Sequence, residues 1–274
     1  MTERRTIPAR TLPDPGEQPR LRRFVVLRET PCPYLPDRYE RKVITELNGA
    51  DANAVYGALS RGGFRRSHLF AYRPACRGCS ACIPARVVAT AYAPSKSLRR
   101  VSRKNADLAV HIRPPVATGE QYALFKRYLD DRHPGGEMAR MTFADYEPLV
   151  ADSAVSTRVA EFRRPEGSLA AACVLDLLDD GTSAVYSFYD PAEPGRSLGT
   201  AVIDWLIRTT ADRFGDHVYL GYWVPPAPKM AYKTRFRPIE LLVNGRWRDL
   251  STLTADCHPS FAGQEGRLQP ITKV

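Results

Sequence analysis

An α+β fold is predicted for this chain, with a basic N-terminal α/β region ahead of a second half that is more regular. Three observations predict it. Hydrophobic residues make up 43% of the 274, enough for one large core or two modest ones. Up to about residue 140, short strand-like runs alternate with helical patterns and are broken repeatedly by Pro and Gly. Beyond it, three strand patterns follow one another, then a polar loop, a long helix and a further strand. No run of about 18 apolar residues occurs, so no transmembrane helix is expected. Residues 1–20 lack the apolar stretch of a secretory signal. A soluble cytoplasmic protein with reduced cysteines and no membrane partner is the expectation.

Along the chain, residues 1–20 read as a flexible arm, 21–140 as an N-terminal region, 141–258 as a C-terminal domain and 259–274 as a tail. Residues 21–27 and 41–47 resemble strands, separated by a loop with three prolines that must be extended. Asp51 is placed to cap a helix ended by Gly62-Gly63. Residues 68–72 and 83–92 read as strands flanking a cysteine loop, and Ser95 is placed to cap a short basic helix to Lys104. A strand over 108–112 stops at Pro114-Pro115. Tyr122, Phe125, Tyr128 and Leu129 recur at helical spacing over 120–131, and Thr142 opens another helix.

Strands over 157–162, 169–178 and 183–189 follow, the last two joined at Asp179-Asp180-Gly181. A helix over 201–214, a strand over 218–223, a short turn over 230–234 and a hairpin around Asn244-Gly245 complete the pattern. Three strands, a polar Gly-containing loop, a long helix and a strand is the order of the GNAT acyltransferase fold. The loop before that helix, with Arg196, Ser197 and Gly199, offers unpaired N–H groups and a positive helix end to a phosphate.

Charge is distributed unevenly. Lys and Arg total 40 against 30 Asp and Glu, a net +10. Between Arg61 and Lys104 lie eleven Lys or Arg and no acid, interleaved with Phe64, Phe70, Tyr72 and Tyr92. That pattern points to a phosphate-binding surface, with Arg99, Arg100 and Arg103 as candidate RNA contacts. Cys76, Cys79 and Cys82 form C-x-x-C-x-x-C, with Cys32 available as a fourth ligand for a metal or iron–sulfur cluster. The other reading is four reduced thiols packing a loop. Cys173 reads as core and Cys257 as incidental.

Several stretches in series resemble one family, the bacterial aspartate/glutamate leucyltransferases, relatives of the arginyl-tRNA–protein transferases. They are PCPYLPDRYERKVITEL at 31–47, GFRRSHLFAYRPACRGCSACIPARV at 63–87, SLRRVSRKNADL at 97–108, YSFYDP at 186–191, RSLGT at 196–200, YLGYWV at 219–224 and KMAYKTRF at 229–236. The resemblance implies transfer of leucine from leucyl-tRNA to proteins with N-terminal Asp or Glu, marking them for N-degron degradation. Arginine transfer, a non-catalytic RNA-binding module and an acetyl-CoA-dependent acetyltransferase are the alternatives.

Such a reaction needs little covalent help. The donor ester is already activated, so no cofactor is required for transfer. The acceptor amine has an ordinary pKa of about 7.7–8.0 and is partly neutral near pH 7. Positioning and oxyanion stabilisation dominate. Tyr186, Ser187, Tyr189 and Asp190 are the candidate catalytic group. A carboxylate-bearing acceptor calls for Arg or Lys, and the candidates are Arg65, Arg66, Arg73, Arg86, Lys229, Lys233 and Arg235. Tyr222, Trp223 and Tyr232 are candidates to shape the cleft, where rings can stack on a terminal base.

Overall fold

The structure is a computed structural model that describes residues 22–254. The expected N-terminal arm, the tail and Cys257 lie outside the described residues. In chain order the first elements are β1 (Val25–Val26), β2 (Thr30–Pro31), β3 (Tyr39–Glu40), β4 (Lys42–Glu46), α1 (Ala52–Arg61), β5 (Arg65–Ser67), β6 (Phe70–Pro74) and β7 (Ile83–Val88). Next come α2 (Lys96–Lys104), β8 (Ala109–Arg113), α3 (Gly119–Arg132), α4 (Phe143–Ala151), β9 (Thr157–Arg163), β10 (Leu169–Leu178) and β11 (Gly181–Tyr189). The last are α5 (Leu198–Arg213), β12 (His217–Trp223), β13 (Ile239–Val243) and β14 (Arg246–Asp249).

An eight-stranded sheet in the order β14-β13-β7-β12-β11-β10-β9-β8 dominates the molecule. Strands β9, β10 and β11 form the expected antiparallel meander, and Asp179-Asp180 make its tight turn between Leu178 and Gly181. Helix α5 then crosses over and returns the chain to β12, which pairs parallel to β11. This is the GNAT arrangement. The sheet runs through the expected boundary near residue 140, because β7 and β8, from before it, sit in the same sheet as β9 to β14. One face packs on α5 through Val202, Ile203, Leu206 and Ile207. Part of the other packs on α3 and α4 through Leu124, Phe125, Leu129, Tyr146 and Val150.

Local chemistry sets the helix ends. The Ser95 hydroxyl accepts from Leu98 N–H at the start of α2, and Thr118 and Thr142 form capping boxes for α3 and α4. Asp51 departs from expectation. It makes no side-chain cap on α1; its carboxylate instead takes Arg22 at 2.8 and 2.9 Å. The expected strand over 83–92 stops at Val88 and ends in a 3-10 turn, Ala89–Ala91. The expected hairpin is present, with Asn244 and Gly245 both at positive φ.

A smaller antiparallel sheet, β1-β4-β6-β5, carries the basic segment. It docks on the large sheet through polar contacts as well as apolar ones. Arg66 makes a bidentate pair with Asp176 of β10, both bonds 2.8 Å long, and the two side chains are 1% and 0% exposed. Thr157 donates to the same carboxylate at 2.6 Å. The Tyr56 and Ser183 hydroxyls bond at 3.2 Å, and Trp247 Nε1 donates to Arg61 O. Removing one partner of such a buried pair leaves an uncompensated charge. Arg66→Met or Asp176→Leu alone is therefore expected to cost about 3–5 kcal/mol in urea unfolding, while the double replacement recovers most of the loss.

Candidate active site

Strands β11 and β12 pair only over Gly181–Ser183 and His217–Tyr219, and then part. Each strand bulges where they separate. The pairing of β11 with β10 skips Val185, and that of β12 with β7 skips Leu220. A bulge leaves a residue outside the ladder and bends the strand. Here the two bulges turn the carbonyls of Ala184, Val185 and Leu220 toward the gap. Arg65, at the start of β5, reaches in from the small sheet and donates to all three, at 2.8, 3.2 and 3.3 Å.

Gly221 makes that insertion possible. Its φ is +73°, and a Cβ there would lie 1.5 Å from Arg65 Nη1. No other residue type fits both the backbone and the space.

The mouth of this fork is lined by the outer residues of the two strands and by the segments that follow them. After β12, the 3-10 segment Pro228–Arg235 carries Lys229, Tyr232 and Lys233. Lys233 is 3% exposed, and its Nζ donates to Tyr222 O. Burial, reinforced by the Arg65 charge, pulls this ammonium from its ordinary 10.5 down to about 7. Tyr222 donates to Gly63 O and Tyr72 O, each at 3.1 Å, fastening β12 to the small sheet. The Tyr189 ring stands 4.9 Å from that of Tyr128. Gly199 lets α5 approach closely, since a Cβ there would lie 2.7 Å from the Tyr189 ring. Burial holds the Tyr128 phenol up at about 12 and Tyr186 higher still, so both rings stay neutral as hydrogen-bonding groups.

The arginines grouped together by the sequence separate into distinct roles. Arg66 is committed to Asp176, and Arg86 donates to Glu240 at 2.7 Å while lying over the Trp247 ring. Neither is presented to the fork, because each neutralises a carboxylate elsewhere. Arg73 donates to Gly62 O and stacks on Phe64. Lys229, Tyr232 and Arg235 are exposed on the segment after β12, and Trp223 is buried at the end of that strand. Arg196 pairs with Asp107 and Glu193 and donates to Asn105. That bond holds the Asp107 carboxyl below its ordinary range. Ser197 sits at φ +53° and makes no side-chain cap on α5.

Asp190, one of the candidate catalytic group, takes Arg164 at 2.9 Å and Ala192 N–H at 3.1 Å. It is a structural anchor for the turn after β11. Ser187 and Tyr186 remain half-buried on β11. Arg99, Arg100 and Arg103 are exposed on α2, whose apolar side, Leu98 and Val101, is buried.

The cysteine loop does not form the expected ligand set. Cys32, Cys76 and Cys79 lie near enough for their fields to act on Cys82, and burial with those neighbours pushes its thiol up to about 12. Cys76 exchanges weak bonds with the Arg41 backbone. Among the described residues, no three His, Cys, Asp or Glu side chains converge to hold a metal ion. These donors are therefore not arranged to hold a metal ion or cluster. Cys173 is fully buried in the core, as expected.

A meander, a crossover helix and a forked parallel strand pair make this a fold of the GNAT type. The chain belongs to the arginine-tRNA–protein transferase family: the family's N-terminal model matches residues 30–100 and its C-terminal model residues 120–243. It is 50% identical over 231 residues to the aspartate/glutamate leucyltransferase of Gluconobacter oxydans, covering 84% of this chain and 96% of that one. It is 49% identical over 225 residues to the enzyme of the same name from Paramagnetospirillum magneticum, covering 82% and 92%. Among solved structures, L-PGS from Bacillus licheniformis superposes with a TM-score of 0.42 at 14% identity, over 65% of this chain and 52% of that one.

Lys233 has a consequence for stability. In the unfolded chain the amine binds its proton below about 10.5, but in the folded chain only below about 7. Between those values the unfolded state holds more protons, so this group makes stability rise with pH there and reach its lowest contribution below 7. The difference in unfolding free energy between wild type and Lys233→Met, measured in urea from pH 6 to 10, is expected to shrink steadily toward the alkaline end.

Proposed function

We propose that this chain transfers leucine from leucyl-tRNA to the α-amine of proteins beginning with Asp or Glu, in the cytoplasm, as a step toward N-degron degradation. The observation that carries the proposal is identity near one half to relatives named for that transfer, along nearly their whole length. The fork supports an ester donor over a thiol cofactor. An extended amide chain entering between β11 and β12 would need the carbonyls of Ala184, Val185 and Leu220, and Arg65 already takes them. No cofactor is needed for the transfer, because the ester is activated and the fork has only to hold amine and carbonyl within about 3–3.5 Å.

The exposed face of α2, with Arg99, Arg100 and Arg103, suits the phosphates of tRNA. Arg196 suits them less, being paired with two acids. The terminal adenosine then lies toward the fork mouth, near Tyr189 and the start of α5. Arginine as cargo is the second reading, favoured by the description of the matching family. A guanidinium would want a free carboxylate, and Asp190 at the end of β11 is held by Arg164.

Labelled Leu, Arg and Phe offered on their tRNAs to peptides starting with Asp, Glu, Lys or Arg test the proposal. Leucine is expected to reach only the Asp and Glu peptides. Transfer of arginine instead would favour the second reading, and binding without transfer would make the chain a non-catalytic RNA-binding module. Salt dependence locates the tRNA face. Replacing Arg99, Arg100 and Arg103 with Ala should make the log–log slope of tRNA affinity shallower by about 2–3, at roughly 0.7–0.9 per lost phosphate contact. An unchanged slope would place the tRNA elsewhere.

A further inference from the structure

Two basic side chains meet at the fork, Lys233 buried and Arg65 half-buried, and among the described residues neither bonds a carboxylate. The groups whose fields act on Arg65 are the phenols of Tyr72, Tyr56, Tyr222 and Tyr232. Those acting on Lys233 are Arg65 itself and the Cys82 thiol. Among the described residues Arg65 is hydrogen-bonded to main-chain carbonyls alone, which orient it without neutralising it. Lys233 gives one N–H to Tyr222 O, and its ammonium can donate three. Elsewhere the chain pairs its buried cation: Arg66, as inaccessible as Lys233, has Asp176. A pair of like charges held together partly out of water is costly unless an anion joins them.

We infer that Arg65 and Lys233 form the seat for the side-chain carboxylate of the acceptor's N-terminal residue. This rests on the transfer reaction proposed above. A carboxylate on one or two methylenes is short enough to approach Lys233 beside the exposed Tyr232 ring, over which the ammonium lies at 5.9 Å. A polynucleotide phosphate needs a broad exposed face, which α2 offers and the buried Lys233 does not. The division of labour follows from the bonds. Arg65, spent on three carbonyls, supplies charge and holds the fork. Lys233, with donors to spare, supplies direction and is the residue that sets specificity.

Three bonds in Asp and four in Glu separate the α-amine from the carboxyl carbon. Seating the carboxylate therefore brings the amine to the fork mouth. The same positive pair disfavours the protonated amine, which raises the fraction able to attack the ester. The amine nitrogen bonds to the leucyl carbonyl carbon, the tRNA ribose oxygen leaves, and the amine's proton passes to that oxygen or to water.

The test compares Asp-starting and Asn-starting peptides, which differ in charge and hardly in shape. Wild type is expected to prefer Asp in kcat/KM by about ten- to hundred-fold, the size of a charged hydrogen bond. Lys233→Met should erase that preference, chiefly by raising KM for the Asp peptide more than for the Asn peptide. Lys233→Arg should keep part of it. The Met variant loses a buried charge, so its Tm should not fall. A folded Lys233→Met that keeps the wild-type Asp-to-Asn ratio, or that slows both peptides equally, overturns the assignment. If wild type transfers leucine to neither peptide, the reaction proposed above fails. Calorimetric binding of the two peptides without tRNA then reads the same ratio directly, and equal affinities in wild type would overturn the seat as well.

Discussion

The molecule depends on one guanidinium standing where two strands would otherwise close. A parallel pair left to itself continues its ladder, since every carbonyl and N–H along it seeks a partner. Strands β11 and β12 stop after three residues each, bulge, and hand the orphaned carbonyls to Arg65. The cleft is therefore a stabilised gap in a sheet, with its polar edges satisfied by a side chain from another sheet. Gly221 belongs to the same device, because a side chain there would overlap the guanidinium.

This explains why the small sheet is fastened so firmly. It contributes the residue that keeps the fork open, so any slip between the sheets would misplace Arg65. The neighbouring Arg66–Asp176 pair, the Tyr56–Ser183 bond and the two bonds from Tyr222 fix the register from several directions. They lie within a few residues of Arg65 on β5 or of the forked strands. Buried ionic pairs add little net stability, but they penalise misalignment heavily, which is what this junction requires.

Much of the frame was legible in the sequence, because it rests on local rules. The meander over β9 to β11, the helix α5, the caps at Ser95 and Thr142 and the Asn244-Gly245 turn all follow from periodicity and turn chemistry. The return of β7 into the large sheet was not legible, since antiparallel pairing with β12 and β13 joins residues about 130 to 150 apart in the chain. The arginines show the same limit. Arg65 and Arg66 are neighbours in sequence, yet one serves the fork and the other a structural carboxylate, a choice made by partners more than 100 residues away. Lys233 was one candidate among seven cations, and what sets it apart is burial without the carboxylate partner that Arg66 has.

The turn before α5 is braced along its whole length. Asn105 and Lys104, from the end of α2, hold the carbonyls of Arg196 and Gly195, while Arg196 clasps Asp107 and Glu193, and Arg164 joins Glu193 to Asp190 at the end of β11. The exposed basic helix and the mouth of the fork are thereby parts of one rigid frame. With an RNA donor resting on α2, that frame acts as a ruler. In the proposed reaction it would set a constant span between the basic helix and the fork, so that a donor would be selected by its length and shape before any base is read.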